Sequence, residues 1–260
     1  MALRSAFAFA AAALALALAL MTGGCASMNT PPAELQAAKT IGIISAIGDD
    51  FTLTRAGLTG PAETERHASI EAWGLDDLIG ARAGSRLGQR FQVKPVTYPR
   101  APFAAREQAS AFTPLNLRSG RDAALKELVR NQVLPQGLDA YVVITKAESA
   151  YGSRGRKAAG IGVIENVAVF GSTAVLHALY TIHVIDGHSF KVISKRAASP
   201  LQNAGVFRMA GPSREIDAEL ASAAQNPAAS EAVKAAVIEL IDRSLATTMQ
   251  DVQLVDRSGS

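Results

Sequence analysis

The amino terminus constrains this chain most, because its first residues cannot belong to a folded body. Arg4 precedes an uninterrupted apolar run over residues 6–21, and small residues follow it. As a helix, this run would span about 24 Å, less than the ~30 Å hydrocarbon core of a bilayer. A positive start, a short apolar core and small residues are the layout of a secretory signal peptide. The sequence therefore predicts a signal peptide over residues 1–24.

The only cysteine of the chain stands at the end of this segment, in Thr22-Gly23-Gly24-Cys25. The motif resembles the lipobox of bacterial lipoproteins, although Thr22 stands where that family usually has leucine. The resemblance implies that the Cys25 thiol receives a diacylglyceryl group and becomes the amino terminus after cleavage. Because one acyl chain binds a bilayer only reversibly, stable attachment needs the several chains that such a cysteine carries.

The residues after the cysteine bear on location. Lipoproteins with an aspartate directly after the cysteine stay in the inner membrane, whereas this chain has Ala26 and Ser27. The resemblance therefore implies lipid anchoring in the outer membrane, facing the periplasm of a Gram-negative host. Two alternatives stay open. One is an ordinary signal peptide cleaved near Ala26, and the other is an uncleaved amino-terminal anchor.

Composition excludes several classes of function. The chain carries 26 Lys and Arg against 23 Asp and Glu, a net charge of +3, so no strong basic excess points to nucleic acid. A single cysteine excludes a disulfide framework within the chain and a cysteine-rich zinc site. The 48% hydrophobic content is typical of a folded protein. We predict a lipidated cysteine with a flexible tether over residues 25–38 and one domain over residues 39–260.

Hydrophobic periodicity predicts the elements of that domain. Residues 40–47 and 51–55 are expected to pair as a hairpin, and the second part of 69–90 as a helix. An edge strand over 91–96 is indicated by Pro95. A helix from Ser119 to about residue 132 and a strand over 139–146, buried on both faces, come next.

The strongest local pattern is Asp186-Gly187 between two apolar runs, which favours a two-residue type I′ turn. The predicted hairpin joins a strand over 176–185 to one over 189–195, with His183 opposite Phe190. A long carboxyl-terminal helix over 227–250, with Asn226 as its N-cap, is expected to cover the sheet.

These elements predict an α/β fold, a mixed sheet flanked by helices. The order of elements, together with the lipid anchor, loosely resembles the periplasmic domains of two lipoprotein families. These are the curli-secretion lipoprotein and the lipoprotein activators of penicillin-binding proteins. No shared functional motif accompanies the resemblance, so it implies no site residues.

The search for chemistry gives no catalytic, cofactor or metal site. Gly160 and Gly162 lack the third glycine or the Gly-Lys-Ser/Thr of nucleotide-binding loops. His177 and His183 are expected about 20 Å apart on one strand, too far to share a metal. Nucleophile motifs are missing as well. The sequence therefore predicts a protein that is not an enzyme and binds no nucleotide.

One segment is a candidate interaction loop. Arg154, Arg156 and Lys157 lie between glycines, and an apolar stretch over 161–170 follows. Most of this stretch, residues 163–170, is itself expected to be a strand. A basic loop together with an apolar ribbon could contact an anionic membrane or an acidic partner. The alternative is a solvated hairpin without a binding role.

Two functions remain open from the sequence. The first is a non-catalytic envelope lipoprotein that binds an unidentified partner protein or assembles with copies of itself. The second is a periplasmic, hydrolase-like enzyme whose site forms only in the fold. A pocket that gathers His183, Asp186 or Asp76, with a perturbed pKa, would favour the second.

Overall fold

Two mixed sheets organise the computed structural model, which describes residues 31–57, 63–104, 118–152, 156–168, 171–201 and 209–256. The strands are β1 (Thr40–Ala46), β2 (Asp50–Gly57), β3 (Glu63–Ser69), β4 (Gln92–Lys94), β5 (Ala140–Lys146), β6 (Glu148–Tyr151), β7 (Arg156–Ala159), β8 (Ile161–Ala168), β9 (Gly171–Ala178), β10 (Tyr180–Asp186), β11 (Val192–Ala197) and β12 (Ser213–Ile216). The α-helices are α1 (Ala33–Ala37), α2 (Leu75–Leu87), α3 (Arg118–Gln132), α4 (Ala218–Ala223) and α5 (Glu231–Asp251). The predicted α/β class, the helices over α2 and α3, and the long carboxyl-terminal helix are confirmed.

Sheet A has the strand order β11-β10-β5-β1-β4. Strands β4, β1 and β5 are parallel, and β10 and β11 run antiparallel to their neighbours. The near-continuous apolar sequence of β5 matches its position, since residues from Ala140 to Ile144 are buried at the centre of the sheet. Strand β4 lies at the edge, as Pro95 directly after it predicted.

Sheet B has the strand order β12-β9-β8-β2-β3. Its one parallel pair is β2 with β8, and the other neighbours are antiparallel. The predicted hairpin of residues 40–47 with 51–55 is therefore wrong, because β1 belongs to sheet A and β2 to sheet B. The chain leaves β1 at Ile47 and Gly48, whose N–H groups both bind the Asp76 carboxylate. With these hydrogen bonds the chain turns away from β1, so β2 does not pair with it.

The predicted strand over 176–185 is two strands in different sheets. Strand β9 of sheet B ends at Ala178, and β10 of sheet A begins at Tyr180. The break falls at Leu179, whose N–H donates to Gly160 O and whose carbonyl accepts from Ala147 N–H. The uninterrupted apolar sequence does not reveal the break, because a strand that is buried on both faces has the same apolar composition in either sheet.

The hairpin of β10 with β11 is present, but its turn differs from the prediction. His183 pairs with Lys195 instead of Phe190, and the register shifts between Val184 and Ile185. The Asp186 carboxylate accepts hydrogen bonds from the backbone N–H groups of residues 188 and 189, which widens the loop. A two-residue type I′ turn needs positive φ at both central residues, whereas in this loop the positive φ falls at Phe190.

Gly187 has a packing role in that loop. Its N–H donates to Asp139 O, and a Cβ there would lie 1.8 Å from Leu138 O. The Asp-Gly pair therefore marks a close backbone approach, and glycine is required by space instead of by a positive φ.

The largest hydrophobic core joins the two sheets through α2 and α5. It contains Ile41, Val142 and Ile182 of sheet A, and Phe51 and Val163 of sheet B. The apolar stripe of α5 supplies the rest of this core, with Val233, Ala236, Val237, Leu240, Ile241 and Leu245 all buried. A second core lies on the other face of sheet A, where α3 packs with Leu125, Val129 and Val133.

The carboxyl-terminal helix starts later than predicted. Asn226 and Pro227 open a separate 3-10 turn, and Asn226 makes no capping hydrogen bond with its side chain. The N-cap of α5 is Ser230, whose Oγ accepts from Val233 N–H at 3.2 Å. Pro227 suits a helical first turn of either kind, which explains why the sequence pattern placed the helix start there.

The predicted tether is shorter than residues 25–38. Residues Ala33–Ala37 form α1, and Leu35 is fully buried in the main core. The apolar side chain pulls this segment onto the fold directly after Pro32, although the proline pair itself cannot continue a helix. Within the described part of the chain, no helix is both long enough and apolar enough to cross a bilayer.

Candidate functional site

Part of the predicted site lies beyond what the structure describes. Cys25 and Arg154 fall outside the described residues. The lipid attachment at Cys25 therefore stays a prediction from the sequence. Arg156 and Lys157 are described, and both lie on β7.

The candidate interaction loop is a small two-stranded hairpin of β6 and β7. Arg156 pairs with Tyr151 and Lys157 with Ala150 across it. Tyr151 and Ala158 turn inward and are buried against Ile164 of sheet B. The hairpin is fixed further by Ser149, whose Oγ accepts from Ala210 N–H at 2.9 Å.

The outer face of this hairpin is less basic than the sequence suggests. The Lys157 ammonium forms an ion pair with Glu148 Oε1 at 2.5 Å, and both groups are partly exposed. The apolar stretch that follows the basic residues is mostly β8, an interior strand between β2 and β9. Ile161, Val163 and Ile164 are buried there. The apolar stretch beside the basic residues is therefore an interior strand, and a binding role of the loop stays a prediction.

Asp76 lies in the first turn of α2, where it joins that helix to the end of β1. Its carboxylate is 3% exposed. It accepts hydrogen bonds from Ser45 Oγ at 2.7 Å, from Ile47 N–H at 2.8 Å and from Gly48 N–H at 3.3 Å. A negative charge at a helix amino terminus is also favoured by the helix dipole. These contacts give Asp76 a structural task.

Asp186 and His183 lie elsewhere in sheet A. Asp186 pairs with Ala140 at the start of β5, whereas Asp76 lies beyond the end of β1. Because β1 and β5 are parallel, these two carboxylates stand at opposite ends of the sheet, roughly 20 Å apart along the strands. His183 lies between them, opposite Val143, with its Nε2 3.4 Å from Thr145 Oγ1. The described residues therefore do not gather these three groups at one site.

Hydrogen bonding also explains the pKa of Asp186. Partial burial by itself would raise the pKa of this carboxyl. Hydrogen bonds from Ser189, and from the backbone N–H of His188, hold the pKa below its usual value. The group is thus an anion that organises its own loop.

Sequence patterns did not reveal that His177 is buried and neutral. His177 is fully buried in sheet B, and its Nδ1 lies 3.0 Å from Gly160 O, so that nitrogen carries the proton. Burial lowers the pKa of His177 to about 4. The prediction that His177 and His183 share a strand is wrong, because they belong to different sheets. Gly162, opposite His177, was a signal that the sequence offered, since it leaves the room that the ring occupies.

Asp139 was also missed. Its Oδ2 accepts from Lys39 N–H at 2.9 Å, from Thr40 N–H at 2.8 Å and from Thr40 Oγ1 at 2.9 Å. These hydrogen bonds lower the pKa of Asp139 to about 2. The contacts fasten the start of β1 to the start of β5. Among the described residues, no group of three or more His, Cys, Asp or Glu side chains is placed to hold a metal ion.

Comparisons with known proteins give loose structural likeness. No family model and no curated protein matches the chain. The PelC dodecamer from Paraburkholderia phytofirmans is similar at a TM-score of 0.28 and 9% identity, over 86% of this chain and 92% of that one. Lipoprotein GNA1162 from Neisseria meningitidis is similar at 0.28 and 11% identity, over 80% of this chain and 99% of that one.

A protein from Xanthomonas campestris that carries the family description DUF330 is similar at a TM-score of 0.29 and 11% identity, over 86% of this chain and 94% of that one. One of these neighbours is thus itself a lipoprotein. Likeness at this level carries no argument about the activity or the assembly of this chain.

Proposed function

We propose that this chain is a lipid-anchored protein of the cell envelope. Its folded body binds a partner protein or further copies of itself and performs no catalysis. The proposal rests first on Cys25, which follows a signal-like segment and small residues. Several acyl chains on that residue would attach the protein stably to a bilayer.

The observation that carries the proposal is where the folded body begins. Leu35 is buried, and Arg90 donates one hydrogen bond to its carbonyl and another to Gln253 O at 2.8 Å. Six peptide steps separate Cys25 from Pro31, the first described residue. Such a segment reaches at most about 20 Å when fully extended. A lipid on Cys25 would therefore hold the body close to the bilayer surface.

The proposal of a non-catalytic role is supported by the structural contacts that the polar side chains make. Asp76, Asp139 and Asp186 each accept hydrogen bonds from backbone N–H groups that strand ends and turns leave unpaired. His177 is buried and neutral. Side chains that are engaged in this way stabilise the fold and leave little for proton transfer to a substrate.

The anchor is tested by Cys25→Ser in cells. We expect the protein to leave the membrane fraction and to lose the mass of the acyl groups. Ser27→Ala is the matched control, since it keeps the cysteine, and it should remain in the membrane with its lipids. If Cys25→Ser stays in the membrane with unchanged mass, the anchor is wrong.

Placement in the outer membrane has a separate test. Because an aspartate after the lipidated cysteine retains lipoproteins in the inner membrane, Ala26→Asp should move the protein from the outer to the inner membrane fraction. Ala26→Asn is the control of similar size and should leave the distribution unchanged. An unaltered distribution of Ala26→Asp would remove the outer-membrane assignment.

The interaction is tested by crosslinking in intact cells. We expect a reproducible adduct, either with one other envelope protein or with a second copy of this chain, and its mass distinguishes the two. Replacement of Arg154, Arg156 and Lys157 together by glutamate should reduce the adduct if the β6–β7 hairpin forms the contact. Arg243→Glu on α5 is the control at another exposed site. Equal yields from both variants would exclude the hairpin.

A further inference from the structure

One end of sheet A lies next to the amino terminus of the folded body. Strands β1, β4 and β5 are parallel and begin together, with Thr40 opposite Gln92 and Ile41 opposite Ala140. Strand β10 ends there at Asp186. The residues exposed at this end are Lys39, Leu134, Pro135, His188 and Lys191, which we call the anchor-side surface.

Leu134 is the unusual member of this surface. It is 63% exposed, and it is the one large hydrophobic side chain in the described part of the chain that is strongly exposed. It lies in the loop that leads from α3 into β5. The loop is fixed, because Leu134 and Thr97 exchange backbone hydrogen bonds of 2.7 and 2.9 Å, and Tyr141 Oη donates to Pro135 O at 2.8 Å. A rigid backbone thus holds the leucine outward.

Negative and positive side chains at this end of sheet A have different partners. The two carboxylates next to the anchor-side surface, Asp139 and Asp186, bind backbone N–H groups of the fold. Lys39 and Lys191 are exposed, and neither forms an ion pair with another described residue. His188 lies 3.6 Å from Asp139. The exposed charges named at this end of sheet A are therefore mainly positive, although Glu34 on α1 is also exposed.

We propose that the anchor-side surface rests against the phospholipid headgroups of the bilayer that holds Cys25, with Leu134 at the acyl boundary. This inference rests on the proposed lipid anchor. The segment before Pro31 reaches at most about 20 Å, whereas a folded body of this size measures roughly 45 Å across. The tether is too short to bring the opposite end of sheet A to the bilayer. An exposed leucine at the same end of the sheet as exposed lysines fits an anionic lipid surface.

The opposite end of sheet A provides the control position. Ala72 is exposed directly before α2, close to Asp76 at the far end of β1. Helix α2 then runs 13 residues back toward Arg90, which contacts α1. A probe at Ala72 should therefore stand at least the length of that helix, about 20 Å, farther from the bilayer than one at Leu134.

The experiment uses the full lipidated chain with a single added thiol. Cys25 is the only native cysteine and is blocked by its lipid, so Leu134→Cys and Ala72→Cys each present one reactive group. Each variant is inserted into the outer leaflet of preformed phosphatidylethanolamine–phosphatidylglycerol vesicles. Reaction with a membrane-impermeant maleimide is timed on vesicles and again in detergent. On vesicles, we expect the thiol at residue 134 to react at least threefold more slowly than the thiol at residue 72. In detergent, we expect the two thiols to react at similar rates.

A second readout identifies what covers the surface. An environment-sensitive fluorophore on the same thiols is exposed to nitroxide-labelled lipids or to aqueous iodide. Stronger lipid quenching at residue 134 than at residue 72 supports the proposal. Protection from iodide without lipid quenching would mean that protein covers the surface, either a partner or another copy, and would overturn it.

Failure of this inference is distinguishable from failure of the anchor. Flotation of the vesicles reports the anchor, and both variants should float with them. Flotation with equal reaction rates at residues 134 and 72 would overturn the proposed orientation and leave the anchor intact. Absence of flotation would overturn the proposed function on which the orientation rests.

Discussion

Two carboxylates of sheet A and one histidine of sheet B stabilise their sheets in different ways, and the difference shows which substitutions each sheet tolerates least. In sheet A, Asp76 and Asp139 stand at strand ends and accept hydrogen bonds from backbone N–H groups. In sheet B, His177 lies within the sheet beside Gly162. Beyond a strand end backbone donors are unpaired, whereas His177 lies on an interior strand that pairs with neighbouring strands on both sides. Sheet A therefore depends on two anions, and sheet B depends on close packing around a neutral ring.

The largest expected effect tests the packing of sheet B. A Cβ at Gly162 would lie 2.2 Å from Thr52 O and 3.1 Å from His177 Nε2. Since neither a backbone carbonyl nor a fully buried ring can yield easily, we expect Gly162→Ala to lower the free energy of unfolding by about 4 kcal/mol. Urea denaturation followed by circular dichroism measures this loss.

The matched control for that variant is Gly57→Ala in β2 of the same sheet. A Cβ there would meet nothing within 4 Å, so its cost should stay within about 0.5 kcal/mol. If the two variants are equally stable, close approach in sheet B is not what holds its middle together.

The second largest effect tests the anions of sheet A. Asp76→Ala removes the acceptor for Ser45 Oγ and for the N–H groups of Ile47 and Gly48. Because the group is buried, its donors lose their partners, and we expect a loss of about 3 kcal/mol. Asp77→Ala is the neighbouring control, since Asp77 forms an exposed ion pair with Arg100 and should cost under about 1 kcal/mol. A loss at Asp76 no greater than at Asp77 would contradict the comparison.

The third effect is a pH dependence that belongs to sheet B. Burial lowers the pKa of His177 from 6.5 to about 4. Below pH 6.5 the unfolded chain therefore binds a proton that the folded chain does not, and stability falls as the pH falls. Between pH 7 and 4 this should cost about 2–3 kcal/mol.

Unfolding in urea at several pH values measures that slope. The free energy of unfolding of His177→Gln should vary less with pH over this range than that of the parent. A chemical shift of the His177 ring that titrates near 6.5 in the folded protein would refute the assignment.

Sequence patterns predicted sheet A better than sheet B. Helix α2, strand β5 and the stripe of α5 were predicted, because their periodicity or their apolar run is long and each matches one packing environment. Sheet B was not recognised as a separate sheet. Its strand β3, Glu63–Ser69, is mostly exposed and polar, and β9 is continuous in sequence with β10, so neither has a distinctive pattern.

The site residues show the same limit. Cys25 and the basic residues near 156 could be proposed as site residues from the sequence because local sequence patterns single them out. Leu134, Asp139 and the partners of Asp76 could not, since their meaning depends on contacts between residues about 30 to 100 positions apart. Spacing along the chain carries no information about which strand ends meet.

The smallest expected effect is a pH dependence of stability that comes from Asp139 in sheet A. Hydrogen bonds lower the pKa of Asp139 from 3.8 to about 2, so its contribution is complete above about pH 4 and is lost as the pH falls toward 2. The carboxylate is one-third exposed, so solvent screening limits the loss in Asp139→Asn at pH 7 to about 1–2 kcal/mol. The difference in the free energy of unfolding between Asp139→Asn and the parent should therefore narrow between pH 5 and pH 3. Parallel urea titrations of the two proteins at these pH values measure it. If Asp139→Asn lowers the free energy of unfolding by the same amount at every pH, the loss comes from the geometry of the lost hydrogen bonds and not from the charge of the carboxylate.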